Sequence, residues 1–268
     1  MSLIKIEDLR FSYDGKKDFI ENCSLPVEKQ DFVSIIGRNG SGKTTLIKLI
    51  AGIFKPSGGS IYIKDRLLQD YTPAELSASA AYLPQSSSTF LQRMKVGDFL
   101  LLGRYSAKNF FSFSFDDKDR DVVLQAMKTC GTEMYADKYF DRLSGGERQK
   151  VLLTLMMVQL DVSSSLENKI LIIDEPLTYL DVNNQIEIFH LLKRLNSENG
   201  LTVILITHEL NYALKYSTKC ALMDSGKIVK YDLPAEVINE TTLKKHFLIN
   251  SQIVNFNSHS LILYDTAN

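Results

Sequence analysis

The chain has 268 residues, 44% hydrophobic and 24% charged, ordinary globular material long enough to bury roughly 70–75% of its unfolded surface. A formal net charge of -1, with no long block of like charge, leaves no general electrostatic attraction to nucleic acid. Cys23, Cys130 and Cys220 lie far apart without a CxxC pair, which argues against a disulfide framework or zinc site and fits a reducing cytoplasm. No apolar run reaches membrane-spanning length, and MSLIKIEDLR at the amino terminus contains no secretory core.

In chain order, Leu3 to Tyr13 reads as a strand, and FIENCSLPVE as a second one after a turn at Asp14 and Gly15, together a small antiparallel layer. The apolar FVSII, Phe32 to Ile36, runs into GRNGSGKT and then the helical TLIKLIAG. Glycines at 37, 40 and 42 allow a tight turn with inward N–H groups, and the helix adds its positive end. Gly37, Arg38, Asn39, Gly40, Ser41, Gly42, Lys43, Thr44 and Thr45 are therefore expected to cradle a polyphosphate. Lys43 reaches the β- and γ-phosphates as a point charge, and the Thr44 hydroxyl can ligate Mg²⁺.

The helix should stop near Gly52, with Pro56, Gly58 and Gly59 in a loop before the strand SIYI. AAYLP then leads into Gln85. Residues 86–165 carry helical periodicity, as in VGDFLLLGRY, RDVVLQAMKTCG and ERQKVLLTLMMVQL. After a serine-rich loop come the strand ILII, the helical NNQIEIFHLLKRLNSENG, the strand TVILIT with His208 beyond it, and a hairpin turning at Ser225 and Gly226. Strand, helix, strand predicts an α/β fold of mostly parallel sheet with an antiparallel β layer and a helical subdomain. Residues 1–85 and 166–232 form the expected core, 86–165 the helical subdomain and 233–268 a short tail.

ILIIDE places carboxylates at the C-terminal end of a strand apolar enough to be buried on both faces, where α/β sheets bind ligands. Successive residues face opposite ways, which favours Asp174 on Mg²⁺, through water, and Glu175 polarising the attacking water. In LSGGE, Ser144 followed by Glu147 is a capping box. Gly145 and Gly146 also leave the helix end bare enough for a second anion. Read alone, Tyr13, alternating with Leu9 and Phe11 on one strand face, fits core packing and an uncovered position equally.

GRNGSGKT, LSGGE and ILIIDEP, followed by His208, resemble the ATP-binding-cassette ATPases in motif and order, from about residue 3 to 245. The resemblance implies the P-loop NTPase fold, with ATP and Mg²⁺ as ligands. It implies Glu175, His208, Gln85 and Lys43 as catalytic groups, Thr44, Gln85 and Asp174 near the metal, and Tyr13 stacking on adenine. Two copies would pack head to tail, Ser144 and Gly146 of one copy meeting the γ-phosphate held by Lys43 of the other, with Gly145 and Glu147 in the same nucleotide-binding segment and Asp181 at the seam. A homodimer or a pairing with a close relative fits one copy of each motif.

Within that family GRY at 103–105, LTYLD at 177–181 and the overall size look like importers of iron-siderophore, haem or cobalamin chelates. Transmembrane permease subunits, an indirect binding protein and a peripheral place on the cytoplasmic side of the membrane follow from that likeness. A soluble cassette ATPase, as in iron–sulfur cluster assembly, is the alternative, and a switch GTPase is disfavoured by the lack of an NKxD motif. Two segments depart from the family pattern. NFFSFSFDD is read as a loop on its own core or a docking patch, and DVSSSLENK is longer than usual.

Overall fold

The computed structural model describes residues 2–85, 93–107, 114–177, 180–256 and 259–265. The chain enters through β1 (Ser2–Phe11), β2 (Ile20–Glu28) and β3 (Phe32–Ile36), then α1 (Lys43–Ile50), β4 (Gly58–Ile63), β5 (Arg66–Leu67), α2 (Pro73–Ser79) and β6 (Ala80–Leu83). Next come α3 (Val96–Leu101), α4 (Asp117–Cys130), α5 (Gly145–Gln159), β7 (Ile170–Asp174), α6 (Val182–Ser197) and β8 (Thr202–Ile206). The chain finishes with α7 (Leu210–Tyr216), β9 (Lys219–Asp224), β10 (Lys227–Asp232), α8 (Pro234–Val237), α9 (Glu240–Thr242), β11 (Ser251–Phe256) and β12 (His259–Tyr264). These elements form two compact units, Met1–Asp70 with Val203–Asn268, and Tyr71–Thr202.

In the first unit β1 pairs antiparallel with β2 and β4, the layer expected from alternation. β3 runs parallel to β8 and β9, and every residue of β3 and β8 is buried. That is why both read as unbroken apolar runs: helices or layers cover each face of a parallel sheet. β9 turns into β10 through Ser225 and Gly226, both left-handed at φ 48° and 79°, the two-residue hairpin the sequence predicts.

In the second unit β6 pairs parallel with β7, and α5 packs against α3, α4 and β6. Capping boxes start α2 (Thr72 with Glu75), α4 (Asp116 with Asp119) and α5 (Ser144 with Glu147). The sequence reading has no counterpart to α2, although Thr72, Pro73 and Glu75 carry its start signal. In the GRY motif, Arg104 ties the start of α4 to the loop after α5, meeting Asp119 at 3.1 Å and Asp161 at 3.3 Å. That serine-rich loop is folded on itself, with Ser164 Oγ donating to the Asp161 carbonyl and Leu166 buried. Of NFFSFSFDD, residues 109–113 lie outside the described residues; Phe115 packs edge-on against Tyr105 at 5.3 Å.

Residues 233–268, expected as a short tail, carry α8, α9, a five-residue π turn (Leu243–Phe247) and the β11–β12 hairpin. Ile262 and Leu243 are buried there, and burial of such side chains stabilises by about 1.5–3 kcal/mol each.

Candidate functional site

The phosphate loop leaves β3 at Gly37, whose φ of 149° and lack of a side chain are both required. A Cβ there would lie 2.2 Å from the Met223 carbonyl oxygen, whereas at Gly40, φ 79°, it would meet nothing within 4 Å. Gly37→Ala is therefore expected to cost more stability than Gly40→Ala. Strain alone costs about 1–3 kcal/mol at such positions, and the clash at Gly37 adds to it. Urea unfolding of the two variants measures the difference; equal losses would show that the Met223 contact does not constrain the loop.

Lys43 is buried at the start of α1, and its Nζ donates to the Gly37 and Arg38 carbonyls at 2.9 and 3.1 Å. The lysine so curls back over the loop whose N–H groups it would share with an anion. Ser41 Oγ is buried without a hydrogen-bond partner, an orphan that a polyphosphate oxygen would satisfy. Gly42 is the helix N-cap, left-handed at φ 103°, and no acidic residue occupies the first turn of α1. A positive helix end, a lysine and an unsatisfied hydroxyl thus converge on one loop, and the set suits an anion.

Tyr13 is not a core residue. It is 62% exposed, which decides against core packing, and its ring stands edge-on to Phe11, Phe19 and Phe54 with centroids 4.8 to 5.9 Å apart. Its hydroxyl meets Thr45 Oγ1 at 2.7 Å, anchoring the ring to the helix that begins with Lys43. A cavity of about 630 Å³ opens beside it, lined by Phe19, Gly40, Ser225, Gly226 and Lys227 among others. An aromatic face next to a phosphate loop is chemically suited to a nucleobase. His208, in the same unit, is exposed just beyond β8, after Thr207, whose hydroxyl accepts the Glu209 N–H at 3.0 Å.

The second unit holds the carboxylates. Asp174 ends β7 and is 2% exposed. Burial first, then the Asp174 charge, pushes the neighbouring Tyr82 phenol up to about 12, so it stays neutral beside that carboxylate. Glu175 follows in left-handed backbone, φ 48°, and its Oε2 accepts from Gln85 Nε2 at 2.7 Å. Gln85 and Glu175, distant in sequence, are thus brought into contact.

At the start of α5 the Ser144 hydroxyl accepts the Glu147 N–H at 3.3 Å, and Glu147 Oε2 accepts the Ser144 N–H at 2.8 Å. Those bonds, the Ser144 backbone first, hold the Glu147 carboxyl below its ordinary range, with Lys138 at 3.2 Å adding to the effect. Gly146 is buried because Asn184 lies over it: a Cβ would sit 1.9 Å from Asn184 Oδ1. Asn184 is itself held by Asp181, which accepts its N–H at 2.9 Å and its side-chain amide at 2.8 Å. These bonds, the backbone one first, lower the Asp181 carboxyl. The sequence reading missed Asn184; its only local signal is its place three residues after an aspartate that caps a helix.

The ABC transporter family matches the chain over residues 20–178. The iron(3+)-hydroxamate import ATP-binding protein FhuC of Bacillus subtilis (strain 168) is 30% identical over 254 residues, covering 95% of this chain and 91% of that protein. The ferric enterobactin transport ATP-binding protein FepC of Escherichia coli (strain K12) is 30% identical over 248 residues, covering 92% and 88%. Among solved structures, an ABC transporter assigned to the metal-chelate type, in an inward-facing conformation, superposes with a TM-score of 0.81 at 26% identity over 99% of both chains. The chain therefore belongs to the ABC transporter family, as one of its ATP-binding, ATP-hydrolysing cassettes.

Proposed function

We propose that the protein powers an importer of metal chelates, of the iron-siderophore, haem or cobalamin type, by binding and hydrolysing ATP on the cytoplasmic side of a membrane. The observation that carries the reading is the cradle itself: an orphaned Ser41 hydroxyl and a buried Lys43 over the positive end of α1. The cargo is inferred from relatives named for iron-hydroxamate and ferric enterobactin transport that align along nearly the whole chain.

Lys43 and the loop N–H groups bind the β- and γ-phosphates, and Tyr13 stacks on the base. Thr44, Asp174 and Gln85 are the residues that would hold Mg²⁺. Few protein ligands are needed, because Mg²⁺ keeps waters and takes phosphate oxygens; no group of three or more His, Cys, Asp or Glu gathers among the described residues. A bound Mg²⁺ would supply neutralisation of phosphate charge. Glu175 then accepts a proton from water, and His208 steadies the γ-phosphate.

Two copies, or a copy and a close relative, close on the nucleotide. Ser144 of one copy would meet the γ-phosphate of the other, Gly145 and Gly146 lending helix N–H groups, with Asp181 at the seam. Closure on ATP and reopening after hydrolysis would drive transmembrane subunits between two states. No helix among the described residues is long and apolar enough to cross a membrane.

The test is purification from detergent-solubilised membranes of cells co-expressing the candidate permease subunits. Co-elution with a polytopic protein, and ATP turnover stimulated by an iron-chelate binding protein, are expected. A protein that stays in the soluble fraction and brings down a soluble partner instead would replace the importer reading.

A further inference from the structure

The segment after β10 belongs to none of the nucleotide motifs, and the family match ends at residue 178. Yet it packs directly behind the phosphate loop. Ile36, the residue before Gly37, is fully buried in a cluster with Leu222 of β9 and with Val237, Leu243 and Ile262 of the carboxy-terminal segment. The Ile262 N–H donates to Asn211 Oδ1 at 2.7 Å, fixing β12 to α7.

A polar connection runs beside this apolar one. His246, in the π turn, meets Asp224 Oδ2 through Nδ1 at 2.8 Å. Asp224 lies below the ordinary carboxylate range, chiefly through that hydrogen bond, then through the Ser225 hydroxyl and the charges of His246 and Arg38. An ionised carboxylate only accepts, so the His246 Nδ1–H donates. Asp224 opens the Ser225–Gly226 turn, and that turn is pressed against the phosphate loop at both ends. Gly226 N–H donates to the Ser41 carbonyl at 3.0 Å, and the Met223 carbonyl occupies the space a Gly37 side chain would need. A Cβ on Gly42 would come 3.3 Å from Met223 Cε and 3.6 Å from Gly226 Cα.

We propose that His246 is a positioning residue for the phosphate loop: by holding Asp224 it keeps the Ser225–Gly226 turn where Gly226 clasps Ser41. Without it, the Asp224 carboxylate is held by Ser225 alone and is free to swing toward Arg38, a residue of the loop itself. There it would distort the loop and add negative charge beside a polyphosphate. The His246 side chain is 16% exposed and that of Asp224 44%, so water screens part of the pair. A several-fold change in affinity, rather than abolition, is the scale such a contact supports.

The proposal rests on residues 37–44 being the nucleotide cradle. The experiment uses the full-length protein, with ATP as the probe: calorimetric Kd in Mg²⁺-free buffer, then KM and kcat with Mg²⁺. His246→Leu is expected to raise Kd and KM for ATP about 3- to 10-fold while kcat at saturation changes less than about twofold. His246→Asn, whose amide N–H can replace Nδ1–H, should return Kd to within about twofold of the parent. In an Asp224→Asn background, His246→Leu should add less than about twofold, because the two residues act as one unit.

Parental ATP affinity in His246→Leu with only a lower melting temperature would make the residue merely structural and overturn the proposal. An Asn variant as weak as the Leu variant would do the same. Should His246→Leu fail to fold, His246→Phe, which keeps a ring but lacks the donor, carries the comparison, with the same rise in Kd expected and parental Kd overturning the idea. Lys43→Ala separates the underlying reading: if it binds ATP as the parent does, the cradle assignment is what fails.

Discussion

Glu175→Gln is expected to bind ATP within about twofold of the parent while hydrolysing it about 10²-fold or more slowly, the usual loss for a group that accepts a proton in the transition state. The amide keeps the size of the carboxylate and can still hydrogen-bond to Gln85, so the 2.7 Å contact between the two side chains need not be lost. What the amide cannot do is take a proton from water. Glu175 also sits in left-handed backbone at φ 48°, a conformation costing roughly 1–3 kcal/mol that the following Pro176 and buried Leu177 help to over-determine. With hydrolysis blocked, ATP should trap a closed dimer. Turnover and light-scattering mass, measured on one preparation, check both halves of the expectation. Normal turnover would remove Glu175 from its role, and a monomer with bound ATP would separate hydrolysis from pairing.

Ser144→Arg is expected to leave monomer ATP affinity unchanged while abolishing ATP-driven dimerisation and lowering turnover by about 10²-fold or more. The side chain at this position caps α5, and a large cation there both removes the cap and crowds the first turn at Gly145 and Gly146. Cap loss alone costs about 0.5–2 kcal/mol, so Ser144→Ala is the control: a lower melting temperature with dimerisation retained. The distinction matters because the capping box explains Ser144 and Glu147 fully as structure, whereas a phosphate site predicts an effect on a second copy. If Ser144→Arg weakens ATP binding by the isolated monomer instead, the shared site is wrong.

The phosphate loop is legible in the amino-acid sequence because its chemistry is compressed into GRNGSGKT, between a strand and a helix whose periodicities are plain. The Ser144–Glu147 box and the Ser225–Gly226 turn are legible for the same reason: cap and turn chemistry act across three or four residues. Tyr13 is ambiguous in sequence because alternation identifies a face and not whether that face is covered. It proves exposed, standing beyond the end of β1. α7 and the carboxy-terminal elements escape the sequence pattern, since short segments carry too few periods to distinguish helix from loop.

By itself, then, the sequence determined the local devices: the phosphate loop, the helix caps, the hairpin turn and the apolar strands that end in Asp174 and before His208. Tertiary structure alone decided which distant groups meet. Asn184 over Gly146, Gln85 on Glu175, His246 on Asp224 and Ile262 beside Ile36 each join residues that no local pattern relates. The physical reason is one of range. Caps and turns are satisfied by neighbours along the chain, whereas these contacts exist only because burial of apolar faces brings remote segments together, and the polar groups carried in with them must then find partners.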